Sequence, residues 1–286
     1  MLENLNDRLL DALRSWTVSM VRRDLTPAVT AARPATNEYG LDPFGFSLDY
    51  SLAALAPFIW LYKHYFRVET TGMEHLPKGR VLLVSNHSGQ LPFDAAMIGI
   101  SMLTEPAASP PRAIRSMVEK WVPTLPYVSV FLSRLGQVVG TPENARRLLE
   151  AEEALLVFPE GTKGLNKLWR KRYQLQEFGL GFMRLALETR TPVVPVAVIG
   201  AEEQAPAIFN ASSLAKLLGM PAMPITPTLL PLPLPSRYRL RFGEPIAFTG
   251  SPHDEDAELE RKVKTVKAAL QAMINRGLKE RTSVFF

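Results

Sequence analysis

The stretch VLLVSNHSGQLPFD, residues 81–94, decides the fold. Val81-Leu82-Leu83-Val84 is short, continuous and aliphatic, the pattern of a buried strand. From Pro92 to about Leu103 the pattern is helical: Pro92 suits a first helical position, and Asp94 falls in the first turn, where the helix dipole favours an anion. His87, one of four histidines in 286 residues, is therefore predicted on a loop at the carboxyl end of a strand. Open α/β sheets tend to place their chemistry there.

Working outward, the alternation of strand and helix continues. Arg112–Met117, Gln137–Val139, Ala154–Phe158, Val193–Ile199 and Tyr238–Phe242 read as strands. Pro142–Glu152 and Gly179–Thr189 read as helices, and Asp254–Arg276 as a charged amphipathic helix. Strands separated by helical patterns predict an α/β fold: a mixed, partly parallel sheet flanked by helices, over residues 67–286. Residues 1–66 read differently, as an N-terminal helical segment that associates with a membrane. Leu5, Leu9, Leu10, Leu13, Trp16 and Met20 give residues 1–24 one apolar helical face, and residues 25–47, rich in Pro and Ala, read as a loop or linker. Residues 48–66 read as an apolar helix. Its stretch LAALAPFIWLY is only 11 residues long and holds Pro57, against the roughly 20 apolar residues a spanning helix needs. Phe58, Trp60, Tyr62, Tyr65 and Phe66 beside Lys63, His64 and Arg67 resemble an interfacial anchor. The alternative is a buried helix covering the core.

A net charge of +5 and a pI of about 9.4 suit an anionic partner: nucleic acid, acidic lipid or a phosphorylated substrate. The absence of cysteine excludes disulfides, thiolate chemistry and Cys-based metal sites. The N-terminus lacks the basic-then-apolar order of a secretory signal. No G-x-S-x-G elbow, Walker A motif or H-E-x-x-H pair occurs, and Gly179-Leu180-Gly181 stops short of a dinucleotide fingerprint.

The candidate chemistry starts from His87 and Asp94. A histidine near its natural pKa can take a proton from an attacking hydroxyl, and a carboxylate on its other nitrogen fixes the tautomer and stabilises the imidazolium. The alternative is a surface histidine with a helix-capping aspartate. A second stretch, LLVFPEGTKG (residues 155–164), is a strand ending in a glycine-bearing turn. Gly161 and Gly164 let backbone approach a ligand closely, Thr162 and Lys163 offer a hydroxyl and an ammonium to an anion, and Glu160 either bonds an acceptor hydroxyl or holds the loop. An ordinary strand-end turn is the alternative. The basic run Lys167, Arg170, Lys171, Arg172 reads either as steering for an anionic substrate or as a solvated face. Residues 220–235, apolar and Pro-rich, read as the wall of an acyl pocket, a lipid-dipping segment or a packed surface loop. Met102, Met117 and Met183 read as core.

Together these residues resemble the glycerolipid acyltransferase family, which includes the bacterial 1-acylglycerol-3-phosphate acyltransferases. His87 and Asp94 resemble its His…Asp motif. Phe158-Pro159-Glu160-Gly161-Thr162-Lys163 resembles its F-P-E-G-T-R motif, with Lys for Arg, and Val193-Val194-Pro195-Val196 resembles its Pro-bearing fourth motif. The order matches, and the resemblance covers about residues 67–245. It implies transfer of a fatty acyl group from acyl-CoA or acyl carrier protein to a lipid hydroxyl, with His87 as general base and Asp94 as its orienter. Glu160, Gly161, Thr162, Lys163, Arg170 and Arg172 then bind substrate. It implies no cofactor, no metal and no covalent acyl-enzyme. The expected partners are the acyl donor, the lipid acceptor and a membrane surface, with no nucleic acid; the expected location is the cytoplasmic face of a membrane, as a peripheral or monotopic protein.

There are two departures. Six residues, Ser88 to Phe93, separate His87 from Asp94, more than the family usually has. On one continuous helix, a rise of about 1.5 Å per residue puts positions seven apart about 10.5 Å from each other, so the chain must loop back after His87. The region GQVVGT, residues 136–141, lacks the Arg with which the family usually contacts a glycerol phosphate. A neutral acceptor such as diacylglycerol is therefore a rival to a phosphate-bearing one. A non-catalytic membrane lipid-binding protein is the rival from another class, favoured if Asp94 lies out of reach of His87.

Overall fold

The computed structural model describes residues 12, 15, 36–47, 50–51, 54–88, 92–105, 111–119, 124, 127–211, 224–225 and 233–285. The first of these elements is α1 (Ala56–Trp60), which continues as a π-helical turn, Leu61–Tyr65. The chain goes on through β1 (Glu69–Thr71), β2 (Val81–Ser85), α2 (Phe93–Thr104), β3 (Ile114–Val118), α3 (Val128–Arg134), β4 (Val138–Val139) and α4 (Pro142–Glu150). Then come β5 (Ala154–Val157), α5 (Thr162–Leu165), α6 (Gly181–Glu188), β6 (Val193–Ile199) and α7 (Ala201–Gln204). A two-stranded pair, β7 (Phe209–Asn210) with β8 (Pro224–Ile225), precedes β9 (Arg239–Phe242) and the long helix α8 (Asp256–Glu280).

The seven-stranded sheet runs in the order β1-β9-β6-β2-β5-β3-β4. All its pairings are parallel except β6–β9, so β9 and β1 run against the rest. β2 sits at the centre, and all of its residues are buried. A strand covered on both faces needs apolar side chains at every position, which is why VLLV does not alternate. Successive side chains still point opposite ways. Val81 and Leu83 pack with Met97 and Ile98 of α2 and with Phe66 and Tyr238. Leu82 and Val84 pack with Leu148 of α4, Met183 of α6 and Leu259 and Val266 of α8.

The strands and helices predicted from residue 67 onward are present with ends shifted by a few residues. Pro92 caps α2 instead of opening it, and α8 runs on to Glu280. Met102 and Met183 are buried, while Met117 is half-buried. In the stretch read as an apolar helix or interfacial anchor, Ile59, Tyr62 and Phe66 belong to the core, whereas Trp60 is exposed. The Tyr62 phenol donates to Glu105 at 2.7 Å, and burial followed by that carboxylate pushes its pKa far above the usual range. Residues 36–47 form a tight turn held to the sheet. The Asp42 carboxylate accepts the Phe44 and Phe46 amides at 2.8 Å each and pairs with the buried Arg115 guanidinium of β3, which also lies over the Phe46 ring at 4.7 Å. The helix expected over residues 1–24 lies outside the described residues but for helical Ala12 and Ser15. So do residues 89–91 of the return loop and most of 220–235. Among the described residues no helix is long and apolar enough to cross a membrane.

Candidate active site

Three adjacent parallel strands, β6, β2 and β5, end at one edge of the sheet. Each delivers a polar group there: Glu202 just after β6, His87 just after β2 and Glu160 just after β5. Asn86 sets the height of the loop. Its carboxamide donates to the Val198 carbonyl at 3.0 Å and accepts the Val198 amide at 2.8 Å, extending the β2–β6 ladder by a side chain.

His87 and Asp94 are brought together. Nδ1 of His87 lies 2.7 Å from Oδ2 of Asp94, a carboxylate with no solvent exposure. The same oxygen accepts the Ser88 amide at 3.0 Å, and Oδ1 accepts the Ala95 amide at 2.8 Å. A carboxylate so occupied is an acceptor at Nδ1, which places the proton there and leaves Nε2 as the free base. The chain returns after His87 so that Asp94, in the first turn of α2, meets it from a separate element. The distance that would have favoured a catalytically silent protein is not there. Phe158, the last residue before the Pro-Glu-Gly turn, stacks on the imidazole with ring centroids 4.0 Å apart and planes 21° from parallel. The ring is thereby fixed on one side by an apolar face and at one nitrogen by a charge.

Glu160 is buried and turned inward, so of its two expected roles the geometry shows loop-holding. Its Oε1 accepts the His87 amide at 3.1 Å; its Oε2 accepts the Gln176 amide at 2.7 Å and lies 3.3 Å from Nζ of Lys167. Gly161 follows with φ +54°, a conformation that disfavours other residues. Gly164 was expected to admit a ligand. In the structure it admits the His87 loop: a Cβ there would stand 2.9 Å from Cβ of both Glu160 and His87 and 3.1 Å from the His87 carbonyl. Thr162 opens α5 and is half-buried.

The basic run divides. The Lys167 side chain is buried, with Nζ 2.9 Å from Oε1 of Glu202 as well as near Glu160. Burial pushes the Glu202 carboxyl above the usual carboxylate range, and the Lys167 ammonium pulls it back. Arg170, Lys171 and Arg172 are exposed, with Arg172 stacked over Trp169 at 4.4 Å. Lys163 is 70% exposed and faces Glu177 at 3.7 Å. Sequence reasoning missed Asn86, Gln176 and Glu202 and the stacking role of Phe158. Their partners lie far away in the chain, and only the strand order reveals them. The arrangement provides one oriented imidazole at a dry sheet edge, backed by buried charge, with exposed cations in the chain segment that follows Glu160.

Residues 67–199 match the family model described as Acyltransferase. An uncharacterized protein of Mycobacterium leprae is 39% identical over 264 residues, which span 88% of this chain and 71% of that protein. A probable 1-acyl-sn-glycerol-3-phosphate acyltransferase of Mycoplasma pneumoniae is 27% identical over 149 residues, 50% of this chain and 53% of its own. The 1-acyl-sn-glycerophosphate acyltransferase PlsC of Thermotoga maritima has a crystal structure that aligns with a TM-score of 0.54 at 19% identity. The alignment covers 98% of this chain and 99% of that one, and it shows a shared fold.

Proposed function

The chain belongs to the glycerolipid acyltransferase family, and from that premise we propose that it moves a fatty acyl group from acyl-CoA or acyl carrier protein to a hydroxyl of a glycerolipid acceptor such as lysophosphatidic acid or a lysophospholipid. The observation that carries this reading is the 2.7 Å contact between His87 Nδ1 and buried Asp94. A neutral hydroxyl is a weak nucleophile, and a thioester is attacked quickly only if the proton leaves as the bond forms. Nε2 of His87 takes that proton while the acceptor oxygen bonds to the thioester carbon. Asp94 stabilises the imidazolium that results. When the tetrahedral intermediate collapses, the carbon–sulfur bond breaks and the imidazolium returns its proton to the leaving thiolate. The products are an ester and a free thiol, with the base regenerated.

A second reading, a neutral acceptor such as diacylglycerol, is favoured by a specific observation. Oε1 of Glu119, at the end of β3, lies 3.7 Å from where a Cβ on Gly161 would stand, and Lys163 is already turned toward Glu177. Two carboxylates thus flank the loop that a phosphate would approach. Incubating the purified protein with acyl-CoA and a panel of lysolipids, glycerol phosphate and diacylglycerol, with products read by mass spectrometry, separates the readings. A new ester with wild type and none with His87→Ala is the expected result; no ester with any acceptor overturns the proposal.

The protein acts in this reading at the cytoplasmic face of a membrane, as a peripheral or monotopic protein. The exposed Trp60, the exposed Trp169, Ile208 and Phe209, and the basic Arg170, Lys171 and Arg172 support it. Because Phe66 and Tyr62 are core, the truncation that tests it removes residues 1–35 only. Loss of flotation with anionic liposomes is expected for the truncated protein, and flotation unchanged for both truncated protein and a Trp169→Ala/Ile208→Ser/Phe209→Ser variant overturns it.

A further inference from the structure

We propose that Lys167 is a positioning residue of the reaction: it holds Glu160, and Glu160 holds the main chain of His87. The inference rests on the acyltransferase reading for its rate effect and on geometry alone for the contact. Lys167 opens a basic run whose other members are in water, yet its own side chain is only 3% exposed. Its ammonium stands 3.3 Å from Oε2 of Glu160 and 2.9 Å from Oε1 of Glu202, side chains that are themselves 0% and 5% exposed. A buried cation between two buried carboxylates has no field to spare for steering a substrate.

What it fixes is a carboxylate with two other duties. Glu160 receives the His87 amide on one oxygen and the Gln176 amide on the other, so three chain segments meet on it. The ammonium, 3.3 Å from Oε2, is the buried counter-charge that holds this carboxylate in place. Without it, Glu160 loses its buried counter-charge and shifts from its place. That shift loosens the His87 amide. The imidazole has little room for error: Phe158 lies against its face and Gly164 against its Cβ. A shift of about 1 Å at a reacting group costs on the order of a hundredfold in rate. A lysine fits this slot because its compact ammonium offers three donors to oxygens in different directions, where the planar fork of arginine asks for one carboxylate face.

The test compares Lys167→Met, Lys167→Arg and the double variant Lys167→Met/Glu202→Leu, the last removing a carboxylate with its cation so that the fold is not burdened by two unpaired anions. Two readouts are taken on each full-length protein. The first is thiol release from palmitoyl-CoA with the acceptor found active. We expect kcat to fall about a hundredfold in both Met-bearing variants, with acceptor and donor KM within about threefold, and Lys167→Arg to recover about tenfold of the loss. A kcat within threefold of wild type in a folded variant, or a raised KM with kcat intact, overturns the proposal. The second is the backbone amide spectrum of protein labelled with 15N at histidine, where only four histidines contribute and His87→Gln identifies the signal. The His87 amide signal is expected to move in the Met-bearing variants and to move back in Lys167→Arg; an unmoved signal overturns the contact. If the wild-type protein transfers no acyl group to any acceptor, the acyltransferase reading falls and Lys167 is judged on the amide signal alone.

Discussion

The charged residues near and after the end of β5 divide into a buried floor and an exposed rim, built on opposite principles. On the floor, the side chains of Asp94, Glu160, Lys167 and Glu202 are nearly dry and meet fixed partners at hydrogen-bond or ion-pair distance. On the rim, Lys163, Arg170, Lys171 and Arg172 stand in water, and the one ion pair of Lys163 joins side chains that are 70% and 89% exposed. Coulomb interactions are strong and orientation-dependent where water is excluded, and weak and salt-screened where it is not. In the proposed reaction the floor therefore serves the chemical step and the rim the encounter. A floor substitution should appear in kcat, a rim substitution in KM and its salt dependence.

The sharpest way to break this division is His87→Ala. In the proposed reaction the side chain supplies proton transfer, while the loop is held by a backbone contact to Glu160 that the substitution leaves in place. A loss of roughly 10²–10⁴ in kcat is expected, with a thermal unfolding midpoint near that of wild type. Turnover near wild type in a folded variant removes His87 from the mechanism. Asp94→Asn should follow closely. It keeps the volume but removes the charge that stabilises the imidazolium, and it points an amide donor at one of the three donors now facing the carboxylate. A drop in kcat of about 10²-fold and a destabilisation of about 1–3 kcal/mol by denaturant titration are expected. An unchanged stability would show that the buried contacts are not made as described.

The floor and rim were not equally legible in the sequence. β2, β5 and β6 were readable because strands buried on both faces carry unbroken aliphatic runs, and His87 and Asp94 because they flank a strand-to-helix turn. The shape of the return loop was inferable only as a necessity of distance. β1 was missed: Glu69–Thr71 is three residues long, and its place at the sheet edge depends on pairing with β9, some 170 residues on. The inward turn of Lys167 was hidden for a similar reason. In the sequence it is one of four bases in six positions; what it meets is Glu202, 35 residues away on α7, after a strand that β2 separates from β5. The Asp42–Arg115 clamp, 73 residues apart, was invisible in a stretch that read as a linker. Composition signals what a segment does on its own, and these contacts exist only once the sheet order is set.

Gly164→Ala sharpens the comparison by disturbing the floor without removing any charge. The new methyl group would press on Cβ of both Glu160 and His87, so backbone must give by several tenths of an ångström. Overpacking of this kind costs about 1–3 kcal/mol, and the displaced loop should lower kcat about tenfold, with KM little changed. A variant as stable and as fast as wild type would mean that the floor is more compliant than its packing indicates.

The smallest effect is expected on the rim, at Lys163. If the acceptor carries a phosphate, Lys163 is the cation nearest to the turn residues Gly161 and Thr162 in the chain, and the Arg that the family usually directs at phosphate is missing from residues 136–141. At 70% exposure its contribution is that of a surface ion pair, worth at most about 1 kcal/mol. Lys163→Ala should then raise the acceptor KM by about fivefold and leave kcat unchanged. Because the contact is made in water, the difference from wild type should shrink as ionic strength rises toward 0.5 M. If the acceptor is neutral, the acceptor KM should not move, and any effect should fall on the donor, whose CoA moiety carries phosphates. Titrating acceptor at saturating donor and then donor at saturating acceptor distinguishes the two. A loss confined to kcat would contradict both, because it would make Lys163 part of the floor, and the division between dry chemistry and wet recognition would have to be drawn further out along the turn.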